Sequence, residues 1–167
     1  MPTNKTQTPG PAGPCEPPLT SADAALMPAI VLDTNVVLDW LLFDDPSSVP
    51  VAAAITARTV RWIATAAMRG EFAAVLQRGL AAERGADWSI MLASWDAHAH
   101  LCDDPTATPR STRLRCSDPD DQMFVDLACA AGARWLLSRD RAVLRLSRHA
   151  AAFGLRIAVP ERWSATP

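Results

Sequence analysis

From Pro28 onward, short apolar runs alternate with segments whose apolar residues recur every three or four positions. Ala29-Ile30-Val31-Leu32 has no polar position, as a strand buried on both faces requires. Residues 36–42 follow as one or two helical turns. Residues 50–59 read as a helix, with Ser47 or Ser48 near its N-cap and Pro50 in its first turn, where the absent N–H would have had no partner anyway. Residues 60–63 form the next strand. Thr65 is placed to cap a helix running through Glu71 to Arg78, with Phe72, Val75 and Leu76 as its apolar stripe. Trp88, Met91, Leu92, Trp95 and Ala99 share one face of a further helix capped by Asp87, and that spacing predicts core packing rather than an aromatic box for bases. Residues 103–117 are a polar, Pro-containing loop. Asp118-Pro119 then opens a helix through Met123, Phe124, Leu127 and Ala131, ending near Gly132. A strand at residues 134–138, a helix at 141–153 stopped by Gly154, and a strand at 155–159 complete the pattern. Strands alternating with helices predict an α/β fold, a mostly parallel sheet of four or five strands with helices on both faces.

The 167 residues suit one domain with a real core. Residues 1–27 read as a disordered leader, because Pro2, Pro9, Pro11, Pro14, Pro17 and Pro18 are separated by little that can be buried. Met27, directly before the first strand, is a candidate translation start. The folded domain is expected at 28–163, with a tail at 164–167.

Composition narrows the function. The formal net charge of −2 gives no global basic signature, so any nucleic-acid contact must rest on a local patch. Lys5 is the only lysine, and it lies in the leader. Phosphate-binding P-loops and phospho-acceptor receiver domains each need a lysine beside the chemistry, so both readings fall. Cys15, Cys102, Cys116 and Cys129 show no C-x-x-C pair and suggest neither zinc nor a disulfide framework. His98 and His100 diverge on a helix, and His149 has no evident partner. With no apolar run near the ~20 residues of a membrane span and no signal-peptide pattern, a cytoplasmic location is expected.

The acids stand in suggestive places. Asp33 ends the first strand, Asp140 lies just past the strand at 134–138, Asp121 lies in the first turn of a helix after a loop, and Glu71 lies one to two turns into the helix after the second strand. In open α/β sheets, sites form outside the carboxyl ends of the strands. Carboxylates drawn together repel, so such a cluster calls for cations, and oxygen-only ligands suit Mg²⁺ or Mn²⁺. Each acid also has a plainer role open to it. Asp118 suits an N-cap before Pro119, Asp120 and Asp121 suit the positive end of a helix, and Asp33 and Asp140 could each cap the helix that follows.

Taken in order, the motifs resemble those of PIN-domain ribonucleases. Ile30-Val31-Leu32-Asp33-Thr34-Asn35 is similar to the family's opening strand and first acid. Thr65 followed by Glu71 resembles its capping hydroxyl and second acid. Asp118-Pro119-Asp120-Asp121-Gln122-Met123-Phe124 resembles the third motif, with Asp121 the best match to a metal ligand. Leu137-Ser138-Arg139-Asp140 resembles the fourth. The likeness spans residues 29 to about 160 and is nearest to the bacterial PIN proteins that serve as toxins of toxin–antitoxin pairs (VapC-like).

The resemblance implies a metal-dependent endoribonuclease. One or two Mg²⁺ or Mn²⁺ ions would activate a water and stabilise the charge developing on the phosphorane and leaving oxygen. Asp33, Glu71, Asp121 and Asp140 would be the catalytic and metal-holding acids, with Asp118 a further candidate ligand, and Asn35 and Ser138 would orient them. Arg110, Arg113, Arg115, Arg139 and Arg141 are candidate RNA contacts, since arginine grips phosphate bidentately. The implied partners are an RNA substrate, a cognate antitoxin and, in a homodimer, a second copy of the chain. Two other readings remain open: a catalytically silent RNA-binding PIN scaffold, and a PIN-like nuclease acting in RNA processing or on structured DNA.

Overall fold

The apolar run at Ala29–Leu32 is the middle strand of a five-stranded parallel sheet. The computed structural model describes residues 27–106 and 108–165; apart from Met27 the expected leader lies outside them, as do residues 166 and 167. The strands are β1 (Ala29–Leu32), β2 (Arg61–Thr65), β3 (His100–Cys102), β4 (Trp135–Leu137) and β5 (Arg156–Ala158), in the order β3-β2-β1-β4-β5. Ile30 stands opposite Trp62 on one side and Trp135 on the other. Ile30, Val31, Leu136 and Leu137 have no exposed surface, which is why these strands carry no polar alternation.

The helices are α1 (Thr34–Leu41), α2 (Val49–Thr56), α3 (Ala66–Val75), α4 (Ala81–Glu83), α5 (Trp88–His98), α6 (Gln122–Ala130), α7 (Arg141–Leu144) and α8 (Ser147–Ala151). With this strand order, the right-handed rule for parallel crossovers assigns α1 to α5 to one face of the sheet and α6 to α8 to the other. Local chemistry sets several starts. Thr65 Oγ1 accepts the Met68 N–H at 3.4 Å, and Asp87 Oδ1 accepts the Ser89 N–H at 2.8 Å. A 3₁₀ turn at Pro46–Ser48, capped by Asp45, leads into α2. Under the first face, the Trp62 ring meets Trp40 at 5.8 Å and Trp95 at 5.2 Å.

Several elements differ from the sequence pattern. Strand β3 was not expected. It is three residues long at the sheet edge, too short for any alternation, and exists through pairing with Ile63, Ala64 and Thr65. The helix expected to reach Arg78 gives way after Val75 to a wider turn at Leu76–Leu80, where Gly79 takes φ +113°, open to glycine and strained for other residues. Trp88, expected in the core, is 43% exposed; Leu92 and Trp95 carry the buried face of α5. The helix expected from Asp118 starts three residues later, and the one expected over 141–153 is divided into α7 and α8.

Candidate active site

From β1 the chain steps outward to β2 and β3, then returns across the sheet to β4 and β5. The direction of winding therefore reverses between β1 and β4. Loops leaving two such strands go to opposite faces and open a crevice at the carboxyl end of the sheet, where ligands of open α/β sheets bind. Asp33 directly follows β1, and Ser138, Arg139 and Asp140 directly follow β4.

Asp33 is 2% exposed. Its N–H donates to the Leu137 carbonyl at 3.0 Å, joining the ends of the two strands. Its Oδ1 accepts the Val36 N–H at 3.0 Å, capping α1, and its Oδ2 accepts the Arg139 N–H at 3.2 Å. The fully buried Ser138 places its hydroxyl against the same carboxylate and accepts the Asp140 N–H at 2.9 Å. Burial pushes the Asp33 carboxyl above its ordinary pKa, outweighing the Ser138 hydroxyl and the backbone donors that pull it down. Asp140 in turn caps α7 by accepting the Ala142 N–H. A carboxylate has about four acceptor positions and a cap takes one of them on each residue, so capping by itself does not exclude a ligand role.

Glu71 is half-buried, and its Oε2 accepts the Thr34 hydroxyl at 2.9 Å. Its pKa is raised first by burial, against which the Thr34 hydrogen bond acts, and then by repulsion from Asp33 and Asp120. Asp121 sits at the N-cap position of α6 but makes no side-chain cap bond. Its carboxyl is pushed up to about 6, first by burial and then by Asp140, Asp118, Asp33 and Glu71. The structure therefore brings the four expected acids into one electrostatic neighbourhood.

That neighbourhood fits a hard divalent cation. Its donors are carboxylate and hydroxyl oxygens, and the charges pressing hardest on Asp121 are all negative. Among the described residues, no three His, Cys, Asp or Glu side chains already converge tightly enough to enclose an ion. Mg²⁺ commonly keeps several waters and binds through one or two carboxylates, which such a spread arrangement allows.

Other expected residues are placed differently. Asp118 does not cap α6; its Oδ1 accepts the Asp120 N–H at 3.0 Å within a turn. The helix starts later because Gln122 locks the preceding loop. Gln122 Oε1 accepts the Cys116 N–H at 2.7 Å, and Nε2 donates to the Leu114 carbonyl at 3.1 Å and to Asp126 at 2.9 Å. Asn35 is exposed and meets Asp33 through its backbone N–H. Arg110, Arg113, Arg115 and Arg141 are exposed. Arg139 is not free in this way. Its Nε donates to Asp39, one terminal nitrogen to Glu161 at 2.7 Å and the other to Ser47 Oγ at 2.7 Å. A guanidinium so engaged within its own chain has fewer donors left for phosphate than the four exposed arginines. Thr34, Gln122, Asp39 and Glu161 were not singled out from the sequence. Thr34, inside the Asp-Thr-Asn motif, and Gln122, inside the third motif, carried a signal that could have marked them.

A groove of about 610 Å³, lined by Trp40, Ser48, Val49, Ala52 and Thr56 among others, contains none of the four acids. No helix among the described residues is long and apolar enough to cross a membrane. No curated protein matches the chain. Among solved structures, VapBC2 from Rickettsia felis, bound to a DNA fragment from its promoter, is similar in fold. The TM-score is 0.55 at 13% identity, covering 77% of this chain and 96% of that one. The model of the PIN domain matches residues 29–142. That span runs from β1 through the Asp140 cap, and the chain belongs to the PIN-domain family, a family of nucleases.

Proposed function

We propose that this protein is a Mg²⁺- or Mn²⁺-dependent endoribonuclease, with Asp33, Glu71, Asp121 and Asp140 as its catalytic acids. The observation that carries the reading is the gathering of acids at the switch point of the sheet, where burial first, and then Asp140, Asp118, Asp33 and Glu71, push Asp121 up to about 6. Around Asp121 the nearest charges are all negative, and their repulsion costs stability that a bound metal would offset. One or two bound ions would supply the positive charge that activates a water and offsets charge on the leaving oxygen. The chain's own groups do the positioning. Ser138 and the Arg139 N–H hold Asp33, Ser138 receives the Asp140 N–H, and Thr34 holds Glu71. Arg110, Arg113, Arg115 and Arg141, exposed on the surface, are proposed to hold RNA phosphates.

The deciding experiment is RNA cleavage with Mn²⁺ or Mg²⁺ by wild type, Asp33→Asn and Asp140→Asn. Wild type should cut, and both variants should remain folded and lose activity by at least about a hundredfold. A folded Asp33→Asn protein cutting at the wild-type rate would remove Asp33 from the mechanism. The likeness to VapBC2 and the order of the motifs support a toxin of a type II toxin–antitoxin pair acting in the cytoplasm, with an antitoxin as partner. Expression should then arrest growth, Asp33→Asn should relieve the arrest, and a short neighbouring gene should encode the antitoxin.

A second reading is an RNA-binding PIN scaffold that does not cut. RNA binding without cleavage by metal-loaded wild type would establish it. Cleavage confined to structured DNA would instead assign the protein to DNA processing.

A further inference from the structure

We infer that Arg139 is a positioning residue for the acid cluster: its side chain clasps three other segments so that the 139–140 backbone is held against Asp33 and Ser138. The inference rests on the proposed role of Asp33 and Asp140.

Between the end of β4 at Leu137 and the start of α7 at Arg141, residues 138–140 belong to no regular element. The site depends on this stretch. The Arg139 N–H donates to Asp33 Oδ2 at 3.2 Å, and the Asp140 N–H donates to Ser138 Oγ at 2.9 Å. The two ends of the stretch are tied, the Ser138 N–H to the Ala158 carbonyl at 3.0 Å and Asp140 to the start of α7, so the residue between them, Arg139, is the one whose position rests on its side chain. That side chain reaches Asp39 on α1, Ser47 in the Pro46–Ser48 turn and Glu161 in the Pro160–Arg162 turn.

The contacts close a ring. Asp33 caps α1, the same helix carries Asp39, Asp39 binds the Arg139 guanidinium, and the Arg139 N–H returns to Asp33. Asp33 is thereby held to the β4 loop both directly and through its own helix. The planar fork of arginine suits this, since it offers several donors in fixed directions where lysine has a single point charge. The clasp is also electrically closed. Asp39 and Glu161, with Asp45 at 3.8 Å, outweigh one guanidinium, so Arg139 is not the counter-charge of the cluster and does not attract phosphate. It shapes the site without neutralising it.

The test uses the full chain and two readouts. Amide hydrogen exchange compares positions 139 and 140 with Val31 and Leu136 in the sheet. Titration calorimetry with Mn²⁺ alone, well below the melting temperature, gives metal affinity. Arg139→Gln is expected to speed exchange at 139 and 140 roughly tenfold more than at Val31 and Leu136, and to weaken Mn²⁺ binding roughly tenfold. Arg139→Lys should recover part of both. Leu92→Ala, in the core on α5, serves as the comparison for general destabilisation; it should raise exchange broadly and leave Mn²⁺ affinity unchanged. If Arg139→Gln behaves like Leu92→Ala, or leaves positions 139 and 140 protected, the positioning role is overturned. Should Arg139→Gln fail to fold, Glu161→Ala and Ser47→Ala each remove one contact and must show the same local pattern in smaller measure. A wild type that takes up no Mn²⁺ defeats the metal reading, while the exchange comparison still decides the role of Arg139.

Discussion

Thr34 and Glu71, thirty-seven positions apart, meet in a 2.9 Å hydrogen bond from the Thr34 hydroxyl to Glu71 Oε2. The bond links the first turn of α1 to the middle of α3 and turns Glu71 towards the acids at the end of β1. It favours the charged form of Glu71 against burial and against repulsion from Asp33. Thr34→Val keeps the shape and removes the donor. The Glu71 pKa should rise further, measurable by carboxyl NMR titration, and metal-dependent cleavage should fall roughly tenfold. Stability should drop by about 1 kcal/mol. An unmoved Glu71 titration would show that the hydroxyl does not act on that carboxylate.

Asp121 sets a pH dependence. Its folded pKa is about 6 against 3.8 unperturbed, a raised value. It therefore contributes stability that is fully present below 3.8 and lost as pH rises through about 6. Asp121→Asn should raise the metal-free melting temperature by a few degrees at pH 7, with the difference closing near pH 4. Excess Mn²⁺ should stabilise wild type, by about 2.7 kcal/mol at a hundredfold excess over Kd, and stabilise the variant less. Identical pH profiles for the two proteins would contradict the raised pKa of Asp121.

Gly70 precedes Glu71 inside α3 with helical backbone, and a Cβ there would meet nothing within 4 Å. Gly70→Ala should stabilise the protein by about 0.5–1 kcal/mol through reduced freedom of the unfolded chain, with cleavage unchanged. A loss of activity without loss of stability would mean that α3 must flex at this point.

Replacing Arg110, Arg113 and Arg115 together should weaken RNA binding for every sequence and flatten its salt dependence, because phosphate contacts release counterions. Binding isotherms at several salt concentrations read this directly. An unchanged slope would make the three arginines ordinary surface charge.

Much is legible in the sequence alone. Continuous apolar runs mark β1 and β4 because a strand with helices on both faces can carry no polar side chain there. Asp33, Thr65 and Asp87 announce helix starts because capping is a contact within three residues, and the cap bonds are present. The four acids could be put at one end of the sheet because strand ends and helix starts in a parallel fold all lie there.

What depended on distant segments was not legible. Strand β3 exists through its neighbour, since His100–Cys102 alone is too short to signal a strand. The start of α6 is decided by Gln122 reaching back to Leu114 and Cys116 rather than by Asp118-Pro119. Arg139, beside Asp140 in sequence, reads as a phosphate contact, but the fold brings it Asp39 from 100 positions away and Glu161 from 22. The physical division is one of range. Propensity, capping and burial pattern act within a few residues and are written in order along the chain. A guanidinium finds its partners only after the sheet has closed, and nothing local distinguishes an arginine that will meet carboxylates from one that will meet water.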